Sequence, residues 1–454
     1  MFRLSHSSSI SDSATNTVER LESEVRGYCR LFPSVFQTAI GSTLTTAEGR
    51  QFIDFFCGAG SLNYGHNPPA VKQALLDYVS HDGIQHSLDM MTEAKAQFLD
   101  RFEQTILKPR SMDYKIQFTG PTGTNAVEAA IKLAKQHRKR SHVVAFTNAY
   151  HGHSLGSLSL TGNQSYHSEY YGSHNNVSFL PYDGYLGDFD TTILLEKMLT
   201  DRSSGMPLPA AVVLETIQGE GGIHVASDAW LQRVQTLCRE HDVLLIVDDI
   251  QVGNGRTGEF FSFEKAGLSP DLICLSKSIG GGLPLSLVMI RPECDVWQPG
   301  QHTGTFRGNN LAFVAANAVL NHWNEASFVD GIQVRSNTLH AFLSSIVLEH
   351  ASENWDLRGR GMIWGLDVRR GDLARKVIDT AFQNGLLLES CGSDDEVLKF
   401  MPALNIPEQQ LQQGLQLFRQ SLQTVFPKSS GTAPTLIPST GSPVTSFGSS
   451  MVVS

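Results

Sequence analysis

The chain has 454 residues, of which 41% are hydrophobic and 18% are charged, and its formal net charge is -10 at pH 7. The length suggests two or three domains, and the composition is that of an ordinary globular protein. The acidic balance excludes the basic footprint of a nucleic-acid-binding protein.

The cysteines and the N-terminal segment indicate the cell compartment. Six cysteines are scattered along the chain, without a C-x-x-C pair or a cysteine–histidine cluster, which argues for a reducing compartment and against disulfides or a zinc site. The N-terminal segment lacks the apolar core of a signal peptide. No segment approaches the ~20 apolar residues that span a bilayer. We therefore expect a cytoplasmic protein.

The predicted elements, taken in chain order, indicate an α/β fold between two low-complexity ends. Residues 1–17 are serine-rich and 427–454 are rich in Ser, Thr, Pro and Gly, so we interpret both as disordered or loosely attached. Between them, short apolar runs alternate with helical patterns, which is typical of a mostly parallel sheet covered on both faces. The runs are 143–146, 210–214, 243–247, 272–275 and 287–290.

The same alternation predicts the domain organisation. Residues 70–310 are expected to form one large α/β domain. Residues 311–426, together with 18–69, are expected to form a smaller α+β domain.

A glycine-containing stretch, residues 118–124, leads directly into a predicted helix. Its glycines, Gly120 and Gly123, would let backbone amides approach an anion, Thr124 adds a hydroxyl, and the helix N-terminus adds partial positive charge. The stretch lacks the lysine of a Walker A loop. It predicts a phosphate site, with a helix start that binds no ligand as the alternative.

Polar and aromatic residues follow the predicted strands at their carboxyl ends, where open α/β sheets bind ligands. Each one alone could be a solvated turn or a helix cap, and Lys277 alone could simply have left its strand for solvent. Together they predict a binding site at one edge of the sheet. In chain order they are Tyr150, His151, Glu215, Glu220, Asp248, Gln251 and Lys277.

Two motifs suggest other chemistries but lack the required context. His151 and His153 resemble a metal pair, yet no carboxylate or cysteine stands nearby at ligand spacing. Residues 253–258 match G-x-G-x-x-G, which could indicate an NAD-dependent oxidoreductase. That fingerprint requires glycines directly after a strand and at the start of a helix, and neither condition is met here.

The residues at the strand ends match what pyridoxal 5'-phosphate requires: a lysine that bonds its aldehyde, a carboxylate that keeps its ring nitrogen protonated, and a phosphate site. Asp248 ends its predicted strand and is the candidate carboxylate. Tyr150 would stack on the ring and Gln251 could bond the ring oxygen. Bonding the cofactor would remove the charge of Lys277 that burial opposes, and the freed amine could move a proton.

These residues belong to motifs that together resemble the class III, or omega, aminotransferases of fold type I. The motifs occur in family order over about residues 30–410: 122–124, 150–152, 215–222, 248–251, 255–258, Lys277 and 305–309. The resemblance implies an α/β fold with a large cofactor-binding domain, whose central sheet is mostly parallel, and a smaller α+β domain.

The resemblance also implies site residues. Asp248 and Lys277 would be the catalytic residues. Thr305 would reach the phosphate in the neighbouring subunit, which implies a homodimer or a higher homo-oligomer. The implied cofactor-binding residues are Gly123, Thr124, Tyr150, His151, Glu215, Asp248, Gln251, Lys277 and Thr305.

Glu220 and Lys399 are the implied substrate-binding residues. In relatives the acid at the place of Glu220 can pair with an arginine that otherwise holds the substrate α-carboxylate. This chain has Lys399 at the matching place, and a lysine holds a carboxylate as a point charge without the bidentate fork.

Within the family, residues 21–26, 54–66, 82–89 and 304–310 resemble members that exchange an amino group between L-2,4-diaminobutyrate and 2-oxoglutarate, giving L-aspartate 4-semialdehyde and L-glutamate. The implied direction is toward diaminobutyrate, for ectoine, siderophore or peptide-antibiotic synthesis. The alternatives are an ornithine or 4-aminobutyrate aminotransferase, an NAD-dependent oxidoreductase, and a catalytically silent binding protein on the same fold.

Overall fold

The structure is a computed structural model that describes residues 7–171 and 176–427, with only the backbone described for residues 7–12. The predicted tail therefore lies outside the described residues from 428 onward. Within the segment interpreted as disordered, residues 7–17 form the first part of helix α1 (Ser7–Leu21). Its described side chains are almost all exposed, so packing does not account for the helix; its sequence contains neither proline nor glycine, which would oppose it most.

A sheet of seven strands, counted over the described residues, forms the centre of the molecule. All pairings are parallel except those of β12, which is antiparallel to both of its neighbours. The strand order across the sheet is β4 (Lys115–Phe118), β12 (Leu287–Ile290), β11 (Leu272–Leu275), β10 (Leu244–Asp248), β7 (Ala211–Leu214), β5 (Val143–Phe146) and β6 (Val177–Leu180).

The described residues also form three smaller sheets. The first contains β1 (Phe36–Ile40), β2 (Thr43–Thr46), β3 (Gln51–Asp54) and β15 (Leu386–Leu387). The second contains β13 (Asp356–Arg360), β14 (Ile363–Asp367), β17 (Val397–Phe400) and β16 (Glu389–Cys391). A short pair is formed by β8 (Ile217–Gln218) and β9 (His224–Val225).

Helices cover the sheets. The α-helices after α1 are α2 (Tyr28–Leu31), α3 (Cys57–Gly60), α4 (Pro69–Ser80), α5 (Glu93–Phe102), α6 (Gly123–Arg138), α7 (Leu155–Leu158), α8 (Thr192–Thr200), α9 (Asp228–Glu240), α10 (Asn310–Leu320), α11 (Ala326–Glu349), α12 (Gly371–Gln383) and α13 (Glu408–Val425). A π-helical turn spans Glu103–Leu107. Short 3-10 helices span Lys108–Arg110, Gln164–Tyr166, Glu169–Tyr171, Lys277–Gly280, Pro292–Cys294, Asn321–Asn324 and Ala351–Glu353.

The large sheet is buried on both faces, which explains why its central strands are continuous apolar runs. In β5, for example, Val144 and Phe146 belong to the hydrophobic cluster on one face. Val143 and Ala145 belong to the cluster on the other face, which α6 covers with its alanine-rich side. All five predicted apolar runs form strands of this sheet, so the predicted α/β fold with a mostly parallel central sheet is confirmed.

The N-terminal and C-terminal parts of the chain share one sheet and one core. Strand β15 pairs in parallel with β3, and residues from both parts, such as Phe55 and Phe418, belong to one buried cluster. We propose that 18–69 and 311–426 form the small domain and 70–310 the large one, and this pairing supports that division. Within the described residues, no helix is long and apolar enough to cross a membrane.

Candidate active site

A cavity of about 570 Å³ opens at the carboxyl ends of β5, β7, β10 and β11, beside the start of α6. Parallel strands bring their carboxyl ends to one edge, so residues distant in sequence meet there. The lining residues are Tyr28, Ala59, Thr122, Gly123, Thr124, Tyr150, His151, Gly152, His153, Tyr166, Glu215, Glu220, Asp248, Ile250, Gln251 and Lys277.

Asp248, the last residue of β10, is held by two hydrogen bonds. His151 Nδ1 lies 2.7 Å from Asp248 Oδ2, and the backbone N–H of Ile250 donates to Oδ1 at 3.2 Å. Both side chains are buried. Burial opposes protonation of His151, but the hydrogen bond to Asp248 and its negative charge raise the pKa of the imidazole above its ordinary value. His151 therefore holds the Asp248 carboxyl in a fixed orientation.

Lys277 follows β11 and begins a 3-10 helix. Its φ of 54° lies in the left-handed region, which is uncommon for a residue with a side chain and is typical of functional sites. The side chain is half-buried, and among the described residues it forms no ion pair. Burial lowers the pKa of the Lys277 amine, although the charge of Glu220 opposes this effect. Lys277 has therefore not simply left its strand for solvent.

The start of α6 forms a narrow cradle. A Cβ on Gly123 would lie 3.0 Å from the Ile250 side chain, and one on Gly152, whose φ is 123°, would lie 2.5 Å from Thr124 Oγ1. Thr124 Oγ1 lies 2.6 Å from Ser154 Oγ. The glycines thus let the backbone approach closely, and the helix N-terminus favours a negatively charged group there.

Glu215, which follows β7, connects its own loop to the loop that follows β5. Its carboxyl group accepts hydrogen bonds from the backbone N–H groups of Tyr150 at 3.0 Å and Gly219 at 3.3 Å. Burial raises the pKa of Glu215 to about 7, with His151 opposing the shift and Asp248 adding to it. The Tyr150 ring makes edge contacts with His153 and Tyr166 at the cavity wall.

A lysine between two carboxylates borders the cavity. The Lys399 side chain is fully buried, and its Nζ lies 2.8 Å from Glu220 Oε1 and 3.1 Å from Glu389 Oε1. Gln251 Nε2 donates to the same Glu220 oxygen at 2.8 Å. Burial works against the charge of Glu220, but Lys399 and Lys277 outweigh it and lower the pKa of Glu220 to about 2.

The structure brings nine of the eleven predicted site residues to the cavity wall. Lys399 does not line the cavity, but its Nζ lies 2.8 Å from Glu220 Oε1, and Glu220 does line it. Thr305 lies outside the cavity of its own chain, where it is exposed and its backbone oxygen lies 2.8 Å from His86 Nε2.

Sequence reasoning missed several residues of the site: Tyr28, Ala59, Tyr166, Ile250 and Glu389. Ile250 lies within the motif 248–251 and could have been found there. Tyr28 and Glu389 come from opposite ends of the chain, and no local pattern marks either of them.

The glycine motif at 253–258 has a structural role. These residues form buried turns, none of them lines the cavity, and no helix begins there. Arg256 is fully buried, and its guanidinium donates to the backbone oxygens of Met362 at 3.0 Å and Pro402 at 2.5 Å. The context of a dinucleotide-binding loop is therefore absent. Residues 7–171 and 176–427 contain no group of three or more His, Cys, Asp or Glu side chains that could hold a metal ion.

Comparison with known proteins identifies relatives over most of the chain. A diaminobutyrate–2-oxoglutarate transaminase of Wolinella succinogenes is 52% identical over 409 residues, which cover 90% of this chain and 96% of that protein. The transaminase of the same name from Halomonas elongata is 50% identical, with 91% and 99% covered. An uncharacterised aminotransferase of Sinorhizobium fredii is also 50% identical, with 89% and 91% covered.

Comparison with solved structures also identifies aminotransferases. Ornithine aminotransferase from Toxoplasma gondii superposes with a TM-score of 0.79 at 25% identity, covering 93% of this chain and 96% of that one. A second structure of that enzyme, with partial occupancy of PLP at its active site, has a TM-score of 0.78. The model of the family described as aminotransferase class-III matches residues 27–422. The chain therefore belongs to the class III aminotransferases.

Proposed function

We propose that this chain is a diaminobutyrate–2-oxoglutarate transaminase, which exchanges the 4-amino group of L-2,4-diaminobutyrate with 2-oxoglutarate to give L-aspartate 4-semialdehyde and L-glutamate. The observation that carries the proposal is one cavity that joins Lys277, Asp248 and the start of α6, in a chain about half identical to transaminases of that name. The direction toward diaminobutyrate, and the pathway that would use it, follow from the resemblance alone.

The residues of the cavity fit pyridoxal 5'-phosphate, the cofactor of class III aminotransferases. Lys277 offers an amine without an ion-pair partner among the described residues, and Gln251 Oε1 is buried without a hydrogen-bond partner there. Gly123 and Thr124 would hold the phosphate at the start of α6. Asp248 would hold the ring nitrogen, and Tyr150 would cover the ring.

When bound, pyridoxal phosphate supplies an aldehyde that carries the amino group and an electron-withdrawing ring. Asp248 would keep a proton on the ring nitrogen, and His151 would hold the Asp248 carboxyl in position for it. Lys277 would take a proton from the reacting carbon of the substrate and return it. Burial lowers the pKa of Lys277, so its amine is a better match to a proton acceptor at neutral pH.

Glu220 and Lys399 would adapt the site to two different substrates. The reacting carbon of diaminobutyrate bears two hydrogens and the carbon chain but no carboxylate, whereas that of 2-oxoglutarate bears a carboxylate. With the first substrate, the ion pair of Lys399 and Glu220 at 2.8 Å can stay closed. With the second, the carboxylate would take the place of Glu220 on Lys399, which holds it as a point charge.

We infer that the enzyme works as a homodimer with its sites at the subunit interface. Thr305 is exposed and does not line the cavity of its own chain, which is the placement expected of a residue that completes a neighbour's site. Exposed apolar side chains lie next to it in sequence and in the segment that His86 joins to it, and such patches are typical of protein contacts. They are Ile84, Leu88, Met90, Met91 and Phe306.

Ornithine aminotransferase activity is the second candidate, because the superposed structures are ornithine aminotransferases. Initial rates with L-2,4-diaminobutyrate, L-ornithine and 4-aminobutyrate as donors to 2-oxoglutarate separate the candidates. Ornithine is one methylene longer, which a substrate pocket discriminates by about 10–200-fold, so we expect kcat/KM to favour diaminobutyrate by that factor. A preference for ornithine or 4-aminobutyrate would contradict the proposal.

Two controls accompany this assay. The purified holoenzyme should be yellow, lose its colour with diaminobutyrate and regain it with 2-oxoglutarate. Lys277→Ala should lower turnover by about 10²–10⁴-fold, the usual contribution of a positioned proton carrier. Full turnover of this variant would show that another group carries the chemistry.

A further inference from the structure

Glu389 is a buried carboxyl group for which the proposed mechanism has no use. It stands on β16 directly opposite Lys399 on β17, and only 3% of the residue is exposed. Glu220, the other partner of Lys399, lies in the loop between β8 and β9, lines the cavity, and has a side chain that is 22% exposed. Glu220 is therefore the partner that can move with the substrate, and Glu389 is the partner that the sheet holds in place.

The proposed substrates place opposite demands on this cluster. Diaminobutyrate carries two ammonium groups and one carboxylate at neutral pH, whereas 2-oxoglutarate carries two carboxylates. Both must occupy the same cavity in turn. Charges taken out of water are costly unless a nearby group compensates them. A site that accepts both substrates therefore benefits from a group whose own charge can change.

The carboxyl groups around the cavity differ in this ability. Glu220 stays ionised, because its pKa is lowered to about 2. Burial raises the pKa of Glu389 to about 7, with Lys399 opposing the shift and Glu220 adding to it. Glu215 has a similar pKa, but its oxygens accept backbone hydrogen bonds and it has no contact with Lys399. The titratable groups that act on Glu389 or respond to it are Lys399, Glu220, Lys277, Tyr28 and Cys391.

We propose that Glu389 is the charge-compensating residue of the substrate site, which takes up a proton from solvent when a dicarboxylate binds beside Lys399 and releases it when the diamino donor binds. The inference rests on the proposed function and deepens it. The incoming carboxylate disfavours the ionised form of Glu389, because Glu220 leaves Lys399 but stays ionised beside Gln251, so the negative charge around Glu389 increases. By thermodynamic reciprocity, a protonated Glu389 strengthens the binding of the dicarboxylate to the same extent.

Glutarate is a suitable probe, because it is a dicarboxylate of the same length as 2-oxoglutarate and has no keto group to react. Its binding to the holoenzyme is measured by calorimetry in two buffers of different ionisation enthalpy, which gives the number of protons taken up. We expect net proton uptake near neutral pH. The Kd for glutarate should rise about tenfold between pH 6.5 and pH 9, the change that corresponds to a pKa shift of about one unit.

Glu389→Gln should remove this behaviour, because the amide resembles the protonated carboxyl and cannot titrate. It should bind glutarate at pH 9 about as tightly as the wild type does at pH 6.5, with less proton uptake. Lys277 is present in both proteins, so proton exchange by Lys277 does not account for the difference. Asp249→Asn is the matched control: Asp249 is buried and its pKa is also raised to about 7, but it does not contact Lys399. This variant should take up protons as the wild type does.

Two results would overturn the inference: no proton uptake by the wild type, or unchanged uptake by Glu389→Gln. If Glu389→Gln fails to fold, Glu389→Asp provides the test. The shorter side chain keeps a titratable carboxyl group but places it at a different distance from Lys399. A shifted midpoint of its proton uptake supports the inference, and an unchanged midpoint contradicts it. An enzyme that transaminates diaminobutyrate without this uptake would disprove only the role of Glu389, whereas an enzyme inactive with diaminobutyrate would disprove the proposed function.

Discussion

Glu215, Asp249 and Glu389 share an unusual property at the scale of single residues, because burial raises the pKa of each to about 7. Asp248 adds to the shift of both Glu215 and Asp249, since its negative charge lies close to them. Asp249 Oδ1 is also buried without a hydrogen-bond partner among the described residues. Such shifted groups are concentrated at functional sites, where the geometry of the site takes precedence over stability.

These three groups make the stability of the cofactor-free protein depend on pH. In the unfolded chain the pKa values are near 4.5 for Glu and 3.8 for Asp, so between about pH 4 and pH 7 the folded protein binds more protons. Stability should therefore fall as the pH rises through this window, by up to about 3 kcal/mol for each Glu and about 4 kcal/mol for Asp249, at about 1.36 kcal/mol per pKa unit. Urea unfolding of the cofactor-free protein at pH 5, 6, 7 and 8 measures this change in the free energy of unfolding.

Asp249→Asn isolates one of these contributions. Because the amide carries no charge, it should raise the urea midpoint at pH 8, where Asp249 is ionised, and change it little at pH 5, where Asp249 is protonated. The change should be largest in the cofactor-free protein. An equal change in midpoint at both pH values would mean that packing, and not charge, accounts for the effect of this substitution.

The element that matters most for the site is helix α6, because its first turn lies at the cavity. Thr124 Oγ1 lies 2.6 Å from Ser154 Oγ, which in turn donates to Glu128 Oε1 at 2.6 Å. The hydroxyl of Thr124 is thus held in a fixed orientation before any ligand binds. Because Ser154 gives its one proton to Glu128, Thr124 donates to Ser154 and would turn this proton to a bound phosphate. Its side chain is already held in place and loses little freedom on binding, which increases affinity.

Thr124→Val tests the phosphate role of this turn. The substitution keeps the shape and removes the hydroxyl, so we expect the Kd for pyridoxal phosphate to rise about 10–100-fold, the usual effect of losing a hydrogen bond to a charged group. Equilibrium dialysis, with the bound cofactor quantified by its absorbance, measures this Kd. Thr236→Val is the control, because Thr236 is exposed on α9 and donates only to the Gln232 backbone oxygen. A Kd equal to that of the wild type would show that Thr124 does not bind the phosphate.

The strands show which elements a sequence pattern can reveal. The five predicted runs form strands because they are buried on both faces. Strands β4 and β6 were not predicted, and both lie at an edge of the sheet, where their residues are partly exposed and the apolar pattern is weaker. The antiparallel direction of β12 could not be predicted either, since direction depends on how the chain returns to the sheet and not on apolar content.

At the scale of the whole molecule, two distant parts of the chain build one site. Tyr28 comes from the N-terminal segment, while Lys399 and Glu389 come from the C-terminal part. Arg256, between them in sequence, is fully buried and donates to the backbone oxygens of Met362 and Pro402 in the C-terminal part. Any movement of one part against the other would therefore change the geometry around Glu220 and Lys399.

Subunit complementation tests the proposed dimer. Lys277→Ala and Thr305→Ala should each have low activity, because the second variant weakens the neighbour's phosphate site. In a dimer, co-expression of both variants should restore activity to about a quarter of the wild type, since half of the dimers are mixed and each mixed dimer has one intact site. If the mixture is no more active than the separate variants, Thr305 does not act across an interface.

The sequence by itself determined the fold class and most of the cavity wall of this protein. Apolar runs buried on both faces specify a mostly parallel sheet, and such a sheet brings the residues after each strand to one edge, so Tyr150, Glu215, Asp248 and Lys277 could be placed together. Only the tertiary structure decided the rest. Strand pairing and burial reveal Glu389 as a partner of Lys399. The unusual pKa of this carboxyl group comes from its surroundings in the folded protein, and no local sequence pattern encodes those surroundings.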